Sequence, residues 1–212
     1  LNQFVGMLSR VGVENNAIGS RRYERYAGHM LQEIGRYCGS LINILYRNGM
    51  IWGTRFHRGQ SFSNAHEGNF IVFPAGENKV RVGIVDFDAS SLAELLASDD
   101  SRKYSACSLP NYRDSTYQII WNVMDHIYEG KEMPQKNIQA AEFFQLASSF
   151  MDSVPLEDPR TKERLAPASW VDCLGLSFAF GFRNPQFDLI EFSYEELASE
   201  AAKAGGAAEV VS

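Results

Sequence analysis

The chain has 212 residues, 45% of them hydrophobic and 22% charged, the usage of one globular domain with a substantial core. Its 20 basic and 26 acidic residues leave a net charge of -6, opposite to the basic footprint of a nucleic-acid binder. No apolar run reaches the ~20 residues of a bilayer span, and Leu1-Asn-Gln-Phe-Val-Gly-Met-Leu-Ser-Arg10 lacks the basic start and apolar length of a signal peptide.

Residues 1–22 contain Gly and Asn and show no period, so 1–25 reads as a linker or helix remnant ahead of the main body. Tyr26, Met30, Ile34, Tyr37, Leu41, Ile44 and Leu45 recur in steps of three and four, which predicts a long amphipathic helix stopped at Asn48-Gly49. Met50-Ile-Trp52 reads as a strand stub, and 53–68 as a polar loop. Phe70–Phe73 and Val80–Phe87 are strands, joined through the turn chemistry of Pro74-Ala-Gly-Glu-Asn78 into a hairpin. Leu92–Ala97, Thr116–Tyr128 and Asn137–Met151 read as helices, and 152–168, with three prolines, as a loop or docking arm. Residues 170–182 are apolar, and Ser193-Tyr-Glu-Glu196 is a capping box opening a last helix, with a fraying tail over 201–212. The order predicts an α+β fold, mainly helical with a small β-hairpin, whose main body spans 26–200.

Cys38, Cys107 and Cys173 are scattered and odd in number, which fits a reducing, cytoplasmic setting; Cys38 lies in the helical stripe as a small core residue. The chain does not begin with Met, which leaves a longer parent open.

The densest chemistry lies at the open end of the hairpin. Asn64-Ala-His-Glu-Gly-Asn69 precedes the first strand and Val85-Asp-Phe-Asp88 ends the second. Paired antiparallel strands lie ~5 Å apart, so Asn69 and Asp86 should face one point. An amide and a carboxylate held there suit a divalent cation whose shell is completed by phosphates. Asp88 could add a second carboxylate, or cap a helix. Alone, Asp86 could equally be a turn residue. His66 suits a hydrogen-bonded structural role. His57, His66, Glu67 and Asp86 also make an imidazole–carboxylate set of the transition-metal kind, at a spacing that matches no closed zinc pattern. Arg21, Arg22 and Arg25 form a basic run that is either a solvated face or a phosphate contact.

These motifs resemble the C-terminal lobe of the protein-kinase-like fold, in its aminoglycoside phosphotransferase and choline kinase branch. That branch carries a loop His-Gly-Asp-x-His-x-Gly-Asn, two strands, and an apolar pair followed by Asp. Ala65-His-Glu-Gly-Asn69-Phe-Ile-Val-Phe73 and Val82-Gly-Ile-Val-Asp-Phe-Asp88 are similar to these, and Leu45-Tyr-Arg-Asn-Gly-Met-Ile-Trp52 resembles the end of the long helix before the loop; residues 26–90 carry the match. The resemblance implies a site for ATP and Mg2+, with Asn69 and Asp86 as metal ligands, Asp88 beside the nucleotide and His66 buttressing the loop. It implies phosphoryl transfer to an acceptor hydroxyl. The family's catalytic Asp is replaced by Asn64, or by Thr54 in a second alignment, and an amide does not take up a proton at neutral pH. Glu67, Asp88 or His57 within residues 55–63 could stand in for that Asp, and Asn64, His66 and Glu67 are the catalytic candidates. About 25 residues before the helix are too few for a five-stranded N-lobe, and no Lys precedes Lys79. The implied partners are a nucleotide and an acceptor, or a protein or upstream domain supplying the N-lobe. The alternative is a pseudokinase-like interaction module without activity.

Overall fold

The computed structural model describes residues 1–48, 50, 55–57, 60–62, 65–86 and 134–206. Helix α1 spans Asn2–Glu14 and α2 spans Arg21–Arg47. Strands β1 (Arg55–His57) and β2 (Gln60–Phe62) pair antiparallel. A 3-10 turn at Glu67–Asn69 leads into β3 (Phe70–Pro74), followed by β4 (Lys79–Ile84). Helix α3 (Pro134–Asp152), α4 (Ser169–Arg183), β5 (Ile190–Glu191) and α5 (Tyr194–Gly206) complete the order. The fold is α+β and mostly helical, with a three-stranded antiparallel sheet in the order β3-β4-β5.

Helix α2 is the spine. Tyr23, Ala27, Leu31, Ile34, Cys38 and Ile42 recur every three to four residues and are buried, and α4 packs along that face. The two backbones come close because glycines face the seam. A Cβ on Gly35 would stand 2.5 Å from the Leu174 carbonyl oxygen, and one on Gly39 or Gly181 would collide with the backbone opposite. The helix ends as expected at Asn48, whose N–H donates to the carbonyls of Ile44 and Leu45.

An aromatic column ties the sheet to the helices. Phe70 of β3 meets Phe150 of α3 at 5.1 Å, Phe150 meets Phe178 of α4 at 4.5 Å, and Phe178 meets Phe143 at 4.9 Å between ring centroids. All four rings are fully buried. Burial of rings this size supplies most of the adhesion, and favourable ring geometry adds about 0.5–1.5 kcal/mol per pair. The base of β3 is therefore fixed to the core.

Four expectations change. Residues 1–22, read as irregular, contain α1, with Val5, Leu8 and Val11 buried every third residue. Gly6 and Gly12 dilute that pattern, yet Gly12 is needed, since a Cβ there would stand 2.6 Å from Ile18 and Tyr23. The 53–68 loop holds β1 and β2, too short and polar to alternate visibly. The hairpin gains a third strand: β5 pairs with β4 at Lys79↔Glu191 and Val80↔Ile190. Helix α5 runs on to Gly206 because Ala201, Ala204 and Gly205 are buried, and Ser193 caps it by accepting from the Glu196 N–H at 3.3 Å. Leu92–Ala97 and Thr116–Tyr128 lie outside the described residues.

Candidate functional site

The β3–β4 register is Phe70↔Ile84, Ile71↔Gly83, Val72↔Val82, Phe73↔Arg81 and Pro74↔Val80. The turn is made by Gly76 (φ +139°) and Asn78 (φ +52°), with the Ala75 N–H donating to the Lys79 carbonyl at 2.9 Å. Phe70, Val80 and Val82 point into the core. The pairing continues one step past the strands, where the Val85 N–H donates to the Asn69 carbonyl at 3.0 Å. That step brings the two predicted ligand positions together: Asn69 Nδ2 donates to Asp86 Oδ2 at 3.4 Å.

Asp86 carries a second peculiarity. Its φ is +59°, the left-handed region. Asp tolerates that region better than most residues, but it remains sparsely used outside glycine. Strained backbone of this kind concentrates at ligand-binding and switch positions. The residue stands exposed just past the end of β4.

The turn before β3 is built around His66. Its Nδ1 accepts from the Gly68 N–H at 3.1 Å, and its carbonyl accepts from the Asn69 N–H at 3.1 Å. A Cβ on Gly68 would come within 2.9 Å of the imidazole, so glycine is what lets the ring cap this turn. His66 thus holds the loop that presents Asn69.

Glu67 is drawn into the scaffold. Its N–H donates to Ser149 Oγ at 2.9 Å, the Ser149 hydroxyl donates to Glu67 Oε2, and Asn2 Nδ2 donates to Glu67 Oε1 at 2.9 Å. One side chain therefore joins the turn to α3 and α1. Ser149 and Asn2 carried no sequence signal: a serine near the end of an apolar helix and an asparagine at the start of another are ordinary capping or surface residues.

Asn64 and Asp88 lie outside the described residues, as does Thr54. Among the described residues no three of His, Cys, Asp and Glu come together as a metal-holding group. Cys38 is fully buried, and burial pushes its thiol far above the ordinary range, which fits the core role expected of it. Burial also raises the Cys173 thiol. No helix among the described residues is long and apolar enough to cross a membrane.

On the outer face of the hairpin, Ile71, Phe73 and Val85 are 43%, 38% and 39% exposed. Ile71 and Phe73 stand at alternate positions of β3 and so share that face, next along the chain from Asn69. Gly83, opposite Ile71, leaves room for the Phe73 ring, whose Cε1 would lie 3.0 Å from a Cβ there. The polar pair therefore stands at one end of an exposed apolar strip. No family model, curated protein or solved structure matches this chain.

Proposed function

We propose that the Asn69–Asp86 end of the hairpin is the phosphate and metal site of a kinase-like, ATP- and Mg2+-dependent phosphotransferase lobe of atypical kind. The observation that carries the reading is the meeting of the Asn69 amide and the Asp86 carboxylate at adjacent strand ends, 3.4 Å apart. One amide oxygen and one carboxylate fit a cation that keeps several waters and takes its remaining oxygens from phosphates. Such a cation would supply charge neutralisation on the phosphate oxygens. The chain's own residues do the rest. His66 and Gly68 fix the turn, the exposed Asp86 presents its carboxylate beside the Asn69 amide, and Ile71, Phe73 and Val85 offer an apolar floor on which a flat ring such as a nucleobase can lie. The nucleotide-covering lobe is supplied from outside these 212 residues, by another segment or a partner protein. A cytoplasmic setting goes with this reading.

A second reading has its own support. Glu67, the carboxylate nearest Asn69 in the loop, accepts from Ser149 and Asn2, and Asn64 is an amide. Glu67 is held in the scaffold by those bonds, and an amide takes up no proton at neutral pH. That favours a catalytically inactive, pseudokinase-like interaction or regulatory module. Thermal unfolding with ATP, with and without Mg2+, separates the two readings. A ligand at 100 times its Kd adds about 2.7 kcal/mol of stability. Asp86→Ala should remove the Mg2+-dependent part. Absence of any nucleotide shift sinks the phosphotransferase reading and leaves the interaction module, while a Mg2+-dependent shift accompanied by ATP turnover sinks the second reading.

A further inference from the structure

A cavity of about 690 Å3 lies between the first half of α2, the start of α4 and α5. It shares no residue with the hairpin site. Arg21, Arg25 and His29, spaced four apart on α2, form one wall, and Ser169 and Cys173 of α4 face them. Gly28 opens the floor, since a Cβ there would stand 3.3 Å from Cys173 Sγ.

The charge in this cavity is unbalanced, although the chain as a whole carries -6. Two carboxylates line it against three arginines, Arg21, Arg22 and Arg25. Glu200 takes Arg22 at 2.6 Å and Lys203 at 3.0 Å, and Glu24 accepts from the Gly19 N–H at 3.0 Å. Among the described residues, Arg21 and Arg25 have no acidic partner. Two like charges one helical turn apart oppose each other, and both guanidiniums border a space of ligand size.

We propose that this cavity binds a small organic phosphate, with Arg21 and Arg25 gripping the phosphate oxygens, Ser169 donating its hydroxyl, and the Gly28–Cys173 floor taking the organic part. Guanidinium pairs suit this ligand because each presents a planar fork that matches two phosphate oxygens.

Phenyl phosphate is the probe, titrated without Mg2+ into the full chain and followed through the backbone amide resonances of Arg25 and Ser169. Saturable binding is expected, displaced by inorganic phosphate and not by phenol. The double variant Arg21→Gln/Arg25→Gln should bind at least about tenfold more weakly. Ser169→Glu should weaken binding too, although a carboxylate in the first turn of α4 favours the helix itself, so that loss would not reflect unfolding. Bound probe should slow alkylation at Cys173, read by peptide mass spectrometry. Asp86→Ala should leave the affinity unchanged, which separates this cavity from the hairpin site. The proposal is overturned by no saturation up to about 10 mM probe, by equal affinity in the arginine double variant, or by loss of binding in Asp86→Ala.

Discussion

Gly35→Ala puts the packing argument to a quantitative test. The new Cβ would stand 2.5 Å from the Leu174 carbonyl oxygen and 3.2 Å from the Phe178 backbone nitrogen. These are backbone atoms of α4 and cannot turn aside as a flexible side chain would. Ordinary carbon contacts lie at about 3.5–4.0 Å, so α2 and α4 must part by about 1 Å locally. A gap of that size forfeits a quarter to a half of the dispersion attraction of the atoms lining it. Overpacking of this type costs about 1–3 kcal/mol. Alanine gains about 1 kcal/mol of helix propensity over glycine, so the net expectation is a loss of up to about 2 kcal/mol. Gly6→Ala is the internal control: it sits mid-helix in α1, and a Cβ there meets nothing within 4 Å. That change should stabilise by about 0.5–1 kcal/mol. Urea unfolding of the two variants measures both. If Gly35→Ala is as stabilising as Gly6→Ala, the close approach of α2 and α4 is refuted.

Other outcomes follow from the same structure. Asp86→Gly relieves the left-handed backbone and should stabilise the ligand-free protein by up to about 1 kcal/mol in urea unfolding, while removing the Mg2+-dependent nucleotide response. Ser149→Ala cuts one of the two ties on Glu67 and should cost about 1 kcal/mol; it should also speed amide hydrogen exchange at Gly68 and Asn69, and unchanged exchange would show that Ser149 does not brace the turn. The Glu200 carboxyl is held down to about 2, from an ordinary 4.5, by its hydrogen bond from Arg22 and then that from Lys203. A depressed carboxyl stabilises above its unfolded value and loses that contribution as the pH falls through its folded value. The melting-temperature gap between wild type and Arg22→Ala should therefore be full above pH 4.5 and close towards pH 2.

The parts of this fold visible in the sequence are those with a strong period or a fixed register. The stripe of α2 is legible because its buried residues repeat over seven turns of helix, although Ile44, counted in that stripe, is 44% exposed near the helix end. The meeting of Asn69 and Asp86 is legible because a short turn sets the pairing of β3 with β4, and that pairing alone fixes which ends coincide. The left-handed Asp86 is not legible, since it depends on how the chain leaves the strand. Nor is the tie from Glu67 to Ser149, which joins residues 82 apart through the packing of α3 against the turn. Helix α1 escaped because its glycines, which weaken the local signal, answer to tertiary neighbours such as Tyr23.

On the proposed reading, Asn69 and Asp86 hold a divalent cation together with nucleotide phosphates. Substoichiometric Mn2+ with ATP tests it at the atoms concerned, because a paramagnetic ion broadens the resonances of nearby nuclei. Broadening is expected at the Asn69 side-chain amide and the Asp86 backbone amide, dependent on ATP, absent when Mg2+ replaces Mn2+, and lost at Asp86 in Asn69→Ala. A sharp Asn69 amide in the presence of both Mn2+ and ATP, or unchanged broadening at Asp86 in Asn69→Ala, would contradict it.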